Sequence, residues 1–420
     1  VNWVEHAVWW QVYPLGATGA EREALPAGAP PAHRLDRLEP WLDYAIGLGC
    51  NGLALGPVFA SETHGYDTTD HLRIDPRLGT VEDFDRLVAA AHGRGLRVLL
   101  DGVFNHVGRS FPAFRQALAD GPDSPAGRWF RWRDGAPEVF EGHDHLVALN
   151  HDEPAVAGYT GRVLRHWLDR GADGWRLDAA YAVPADFWRR VLPPVRAAHP
   201  DAWFVGEVIH GDYAARVGGG GLDSVTQYEL WKAIWSSLND RNFYELAWAL
   251  ERHDALLEEF LPLTFVGNHD VTRLASRLVE PDHLPLAVAL LCLLGGVPSV
   301  YYGDEQAFRG VKEDRAGGDD AVRPELPATP DGLAPDGWAT YRLHQRLIGL
   351  RRRHPWLAGS RARVEHLTNQ AVAIRAVPAD GSGPGLLLLL NTGDRAYRFP
   401  LPGAPEVGPH GWSVPGELSA

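Results

Sequence analysis

Four carboxylates stand apart in this sequence because each closes or follows a short apolar run. Asp101 ends Arg97-Val98-Leu99-Leu100, Asp178 ends Gly174-Trp175-Arg176-Leu177, and Glu207 ends Trp203-Phe204-Val205-Gly206. Asp270 follows the apolar stretch 261–267 by three residues. Two carboxyl groups about 5–5.5 Å apart, one ionised and one protonated, can break an acetal through a covalent intermediate. Asp178 fits the ionised member. Arg176 lies two residues earlier, so on a strand both side chains face the same way, and the guanidinium is expected to lower the carboxyl's pKa. Glu207 is flanked by Phe204, Val205, Val208 and Ile209, a setting expected to raise its pKa and suit a proton donor. Any one of these acids, taken singly, could equally be a helix cap or a surface ion pair.

The elements that must position them alternate. Residues 8–13, 52–55, 97–101, 174–178, 203–207, 261–267 and 297–302 read as apolar strands. Between them, spacings such as Leu35, Leu38, Leu42 and Ile46 before Gly49 read as helices. Such alternation implies a parallel sheet, which can close into a barrel or stay open and doubly wound. The acids decide it, because a barrel builds one site from the C-terminal ends of several strands. No G-x-G-x-x-G follows the first strand, as a doubly wound dinucleotide fold would have. The expected fold class is α/β, a (β/α)8 TIM barrel over residues 1–108 and 153–353.

Two stretches depart from the pattern. Residues 109–152 hold Gly, Pro, Arg and aromatics without clear helical periodicity, and read as a short irregular excursion after the third strand. Beyond His354-Pro355, strands at 364–367, 371–377, 386–390 and 397–401 follow one another without helices, predicting a C-terminal antiparallel β-domain over 354–420. The glycine run 218–221 reads as a loop, because no P-loop lysine follows.

Composition excludes several functions. The formal charge of −14 argues against nucleic acid, which needs a basic patch. The longest apolar stretches, 284–294 and 386–390, are too short to span a bilayer. No basic stretch followed by an apolar one opens the chain, so a cytoplasmic location is expected. Cys50 and Cys292, both placed in apolar helical contexts, read as small buried hydrophobes. Glu141, His143, Asp144, His145, His151 and Asp152 form a local cluster of metal-ligand types, read here as a solvated loop lining a cleft.

Taken together, Asp101-Gly102-Val103-Phe104-Asn105-His106, Gly174-Trp175-Arg176-Leu177-Asp178, Gly206-Glu207-Val208 and Phe265-Val266-Gly267-Asn268-His269-Asp270 resemble the four ordered sequence regions of the α-amylase family of glycoside hydrolases. The resemblance implies a retaining α-glucoside hydrolase with Asp178 as nucleophile, Glu207 as acid/base and Asp270 as the acid that holds hydroxyls of the reacting ring. It implies that Arg176 supports the nucleophile and that His106 and His269 bond sugar hydroxyls. Tyr66 would stack on that ring, Asp319 and Arg323 would close its subsite, and Asp101 and Asn105 would support the site. Tyr66-Asp67-Thr68-Thr69-Asp70 and Gly206-Glu207-Val208-Ile209-His210 are similar to the neopullulanase, cyclomaltodextrinase and α-glucosidase branch, whose N-terminal β-domain has no counterpart before the first strand here.

Calcium is common in that family; Asn105 matches one ligand position, but Ala182 stands where a ligating histidine would be. No cofactor is therefore required, and no metal is expected at that place. The implied partner is a malto-oligosaccharide or related α-glucan, cleaved at α-1,4 or α-1,6 linkages. Transglycosylation or glucosyl isomerisation through the same intermediate is the alternative. A non-catalytic carbohydrate-binding homologue is disfavoured because all three acids are present.

Overall fold

A computed structural model describes residues 2–419. Eight parallel strands form its centre: β1 (Trp9–Val12), β2 (Gly52–Leu55), β3 (Arg97–Gly102), β4 (Gly174–Leu177), β5 (Trp203–Gly206), β6 (Ser224–Val225), β7 (Leu263–Phe265) and β8 (Val297–Tyr301). β1 pairs with β2 on one side and β8 on the other, with Trp9 opposite both Gly52 and Ser299. A parallel bridge from Thr226 to Leu263 joins β6 to β7 and closes the ring. The chain is a TIM barrel, as its strand–helix alternation predicts.

Period-two alternation sorts each strand between two cores. Trp10, Leu53, Val98, Leu100, Trp175, Leu177 and Phe204 face outward into the large core shared with the helices. Trp9, Ala54, Leu99, Trp203, Val205, Leu263 and Val297 face inward and fill the lower barrel. There the Trp9 and Trp203 rings stack with centroids 5.9 Å apart. Gly52 is required because a Cβ would lie 2.3 Å from the Trp9 ring. The same alternation lifts the next inward positions to the top of the barrel: Gln11 above Trp9, Asp101 above Leu99, Glu207 above Val205, and Asp178 above Arg176.

The outer helices include α1 (Glu39–Leu48), α2 (Val81–Gly93), α3 (Pro154–Asp169), α4 (Ala185–Ala198), α5 (Tyr228–Asn239), α6 (Phe243–Leu257), α7 (Leu284–Leu293) and α8 (Trp338–Arg353). α1 buries Trp41, Leu42, Tyr44, Ala45 and Leu48 and stops at Gly49, whose φ of 106° supplies the left-handed cap. Thr80 and Asp83 start α2 with a reciprocal capping box. No helix of the described residues is long and apolar enough to cross a membrane.

Several sequence expectations need correction. The sixth strand was not foreseen, since two residues carry too little periodicity to announce it. The expected 261–267 strand shrinks to Leu263–Phe265, releasing residues 266–270 as a loop. The stretch 109–152 contains a helix, Pro112–Asp120, which buries only Phe114 and Ala117 and so shows weak periodicity. It also supplies Val139–Phe140 and His143–Ala148, which join His106–Gly108, just before it, in a three-stranded antiparallel sheet. Cys50 lies just past α1 rather than in a helix; both cysteines are buried and free.

After α8 a five-stranded antiparallel sheet runs in order β9 (Arg361–Leu367), β10 (Ala371–Val377), β11 (Leu386–Asn391), β12 (Gly411–Val414) and β13 (Leu418–Ser419). Tyr397–Arg398 pairs with Glu406–Val407 outside this sheet. The Asp254 carboxylate on α6 accepts the Ala362 N–H at 2.9 Å, tying β9 to the barrel.

One buried acid gives the fold a pH signature. Glu305 follows β8 and accepts from the Tyr44 hydroxyl at 2.8 Å and the Gly303 N–H at 3.0 Å. Burial nonetheless pushes its carboxyl up to about 7. The folded state thus keeps this proton to a higher pH than the unfolded chain, so stability falls as pH rises from about 4 through about 7. Asp304 and Asp254, each raised to about 6 by burial, act in the same direction. Glu305→Gln is expected to remove about 3 kcal/mol of that slope, read from denaturant unfolding across the same pH range.

Candidate active site

Arg176 organises the top of the barrel. It stands directly beside Asp101 in the β3–β4 register and beside Val205 in the β4–β5 register. Its Nη1 donates to Asp101 Oδ1 at 2.7 Å and Oδ2 at 2.8 Å, and to Asp178 Oδ1 at 3.1 Å. Its Nη2 lies 2.9 Å from Glu207 Oε1. One guanidinium therefore gathers three carboxylates from three neighbouring strand ends, and all four side chains are at most one-tenth exposed.

The chain just past β4 fixes the geometry further. Ala179 adopts a φ of 45°, in the left-handed region, at a cost of roughly 1–2 kcal/mol for a residue with a Cβ. That turn aims the Ala179 N–H at Glu207 Oε2, 2.8 Å away. The Tyr228 hydroxyl reaches Glu207 Oε1 at 3.4 Å, and Asn268 Nδ2 donates to the same hydroxyl at 3.0 Å.

Arg176 does not hold Asp178 low, contrary to the expectation from their spacing. Burial and the neighbouring Glu207 carboxylate outweigh the guanidinium and push Asp178 well above the ordinary carboxylate range. The reason is geometric: Arg176 makes its shortest contacts with Asp101 and divides its charge among three acids. Like-charged carboxyls so placed hold one proton between them. Glu207 receives the backbone, guanidinium and phenol donors, while Asp178 receives only Arg176.

A second cluster faces the first. Burial works against ionisation of Asp270, but His269, Arg323 and Arg176 outweigh it and hold the carboxyl well below its usual range. His269 Nε2 lies 3.0 Å from Asp270 Oδ2, and Arg323 Nη2 lies 3.1 Å from Oδ1. The same Nη2 is 3.3 Å from Asp319 Oδ2, and Asp319 Oδ1 lies 3.4 Å from Lys312 Nζ. The His269 ring is nearly parallel to both Tyr66, at a centroid distance of 5.4 Å, and Tyr13, at 6.2 Å. The Tyr66 hydroxyl donates to Asp101 Oδ2 at 3.0 Å and makes a short contact with His269 Nε2.

His106 is buried, and burial lowers its pKa to about 3, so it is neutral near pH 7. Its Nε2–H donates to the Tyr66 carbonyl at 3.0 Å, and Asn105 Nδ2 donates to Nδ1 at 3.0 Å. Both ring nitrogens thus have protein partners, and Phe140 stacks on the ring at 4.7 Å. Every residue proposed from the sequence falls in one of these two linked clusters or against them. Gln11, Tyr13, Tyr181, Tyr228 and Asn268 also line the site and were not foreseen. Only Asn268 lay inside a quoted motif, and aromatic residues off the strand ends carry no signal separating cleft from core.

Comparisons with known proteins bear on the family and the fold. Residues 35–331 match the family described as alpha amylase, catalytic domain. The chain belongs to the α-amylase family. It is an α-amylase-family glycoside hydrolase. It is 31% identical over 338 residues to a cyclomaltodextrinase of a Bacillus species, covering 73% of this chain and 60% of that protein. It is 31% identical over 408 residues to neopullulanase 2 of Thermoactinomyces vulgaris, covering 88% of this chain and 66% of that protein. The chain therefore spans under two thirds of the length of these curated relatives. The ligand-free cyclic α-maltosyl-(1→6)-maltose hydrolase of Arthrobacter globiformis superposes with a TM-score of 0.84 at 26% identity, covering 100% of both chains.

Proposed function

We propose that this hydrolase cleaves α-1,4 linkages, and α-1,6 linkages with the same machinery, in short linear or cyclic malto-oligosaccharides with retention of configuration. The observation that carries the reading is the single Arg176 guanidinium bonded to Asp178 and Glu207 at once. That bond keeps the two carboxyl groups within the close spacing a covalent glycosyl-enzyme mechanism needs.

In this mechanism Asp178 is the nucleophile and Glu207 the acid/base. The proton the pair shares in the free site is drawn to Glu207 as the glycosidic oxygen approaches it, leaving Asp178 ionised beside Arg176. Glu207 then donates that proton to the leaving oxygen while Asp178 Oδ bonds to the anomeric carbon. Water enters from the vacated side, Glu207 takes its proton, and the ester breaks. Asp270, held ionised by His269 and Arg323, bonds hydroxyls of the distorted ring. Tyr66 packs against that ring, and Arg323 and Asp319 close its far end.

The end-to-end match to a hydrolase of cyclic α-maltosyl-(1→6)-maltose, and the identity to a cyclomaltodextrinase, support short and cyclic substrates. No metal enters the reading. Calcium takes six to eight oxygen ligands; Asn105 and Ala182 line a cavity of about 540 Å³ in which Asp134, Glu138 and Glu141 stand beside Arg131 and Arg133. Ala182 offers no side-chain oxygen ligand.

Products from cyclomaltodextrin, maltotriose, pullulan and starch test the proposal. Maltose and glucose accumulating from the small substrates, ahead of starch, is the expected result. Transfer products longer than the donor, dominating at millimolar maltotriose, would replace hydrolysis with glucosyl transfer as the function.

A further inference from the structure

Resting on the site reading above, we infer that Gln11 is a positioning residue that sets which nitrogen of His269 carries the proton. Gln11 lies on β1, one inward step above Trp9, at the top of the barrel. Its Nε2 stands 3.2 Å from His269 Nδ1.

The partners on the other side of the ring make this contact consequential. The Tyr66 hydroxyl gives its proton to Asp101 Oδ2, an acceptor held by Arg176, so towards His269 the phenol oxygen can only accept. Asp270, paired with Arg323 Nη2 at 3.1 Å, accepts as well. Both therefore need a proton on His269 Nε2. An imidazole with a single proton placed there presents Nδ1 as a bare acceptor, and the Gln11 amide is the donor that meets it. Tyr13 lies nearly parallel to the ring, the Tyr66 hydroxyl meets its Nε2 edge, and Arg323 Nε holds the His269 carbonyl at 3.0 Å, so the ring is held at points independent of Gln11. What Gln11 adds is the tautomer. With the other tautomer, the Nε2 lone pair would face the Asp270 carboxylate and the phenol oxygen, and the contact that orients Asp270 would be lost.

The charged and titratable groups facing His269 are Asp270, Arg323, Tyr66 and Tyr13, with Asp101 and Arg176 behind Tyr66. Gln11→Met, similar in size and without a donor, is expected to lower kcat about tenfold with a smaller change in KM. Its thermal midpoint should stay within a degree or two of the parent, because no buried charge is exposed. Gln11→Glu turns the donor into an acceptor for an Nδ1 proton and so favours the doubly protonated ring. It is expected to recover activity on the acid side only, moving the pH optimum down relative to the parent. A purely structural role would not produce that shift. His269→Asn serves as the reference. A Gln11→Met enzyme with parental kcat and pH profile beside an impaired His269→Asn enzyme overturns this inference alone. Parental activity in both overturns the site reading with it.

Discussion

Asp178→Asn is expected to lower kcat on maltotriose on the order of 10⁴-fold, with KM changed only a few-fold. The asparagine keeps an oxygen for Arg176 Nη1 and nearly the same volume, so the walls of the cleft stay in place. What disappears is the attacking charge. Stability should hold or rise, because the buried Asp178 carboxylate faces Glu207, Asp101 and Asp270 and is opposed by burial. Activity assays and a thermal melt on the same sample separate the two effects. Loss of activity with a parental or higher melting point assigns Asp178 to the chemistry. Parental activity would remove it from the reaction.

Arg176→Met carries the largest expected effect on the fold. The guanidinium is the shared partner of Asp101, Asp178 and Glu207, which are 1%, 10% and 7% exposed at their side chains. Removing it leaves three buried carboxyl groups facing one another without a cation, a change that costs about 3–5 kcal/mol. Lysine is no substitute, since a point charge on a flexible stem cannot reach three acids through two fixed nitrogens. The sign with pH is also set. In the variant the acids are driven to keep their protons, so its folded state binds more protons than the parent's. The stability deficit should therefore be widest above neutral pH and narrow as pH falls towards 4. Urea unfolding of parent and variant at several pH values measures it. A deficit independent of pH would mean that lost packing, not uncompensated charge, is responsible.

The barrel and the gathering of its carboxylates were legible because period-two alternation ties side-chain direction to position along a strand. Leu99 and Asp101, Arg176 and Asp178, and Val205 and Glu207 announce an inward row whose last members stand at the barrel mouth. The electrostatic balance was not legible in the same way. Arg176 two residues before Asp178 reads as a private ion pair until the β3–β4 register places Asp101 against the same nitrogen at a shorter distance. Sequence neighbours were visible; neighbours across the sheet were not. Tyr13 against His269 and Tyr228 against Glu207 escaped for the same reason. They come from segments far apart in the chain, and nothing in their local spacing separates them from core aromatics such as Trp10 or Phe59. The two-residue β6 shows the limit for backbone: Ser224 and Val225 are recognisable as a strand only because β5 and Leu263 flank them.

The central claim is a covalent bond to Asp178, and trapping it is the most direct measurement. In Glu207→Gln, an α-glucosyl fluoride still reacts because fluoride leaves without a proton, while the ester persists because water lacks a base. Mass analysis of the peptides should find one hexosyl group on Asp178. A hexosyl group on another residue, or product forming with inverted configuration and no adduct, would contradict the account.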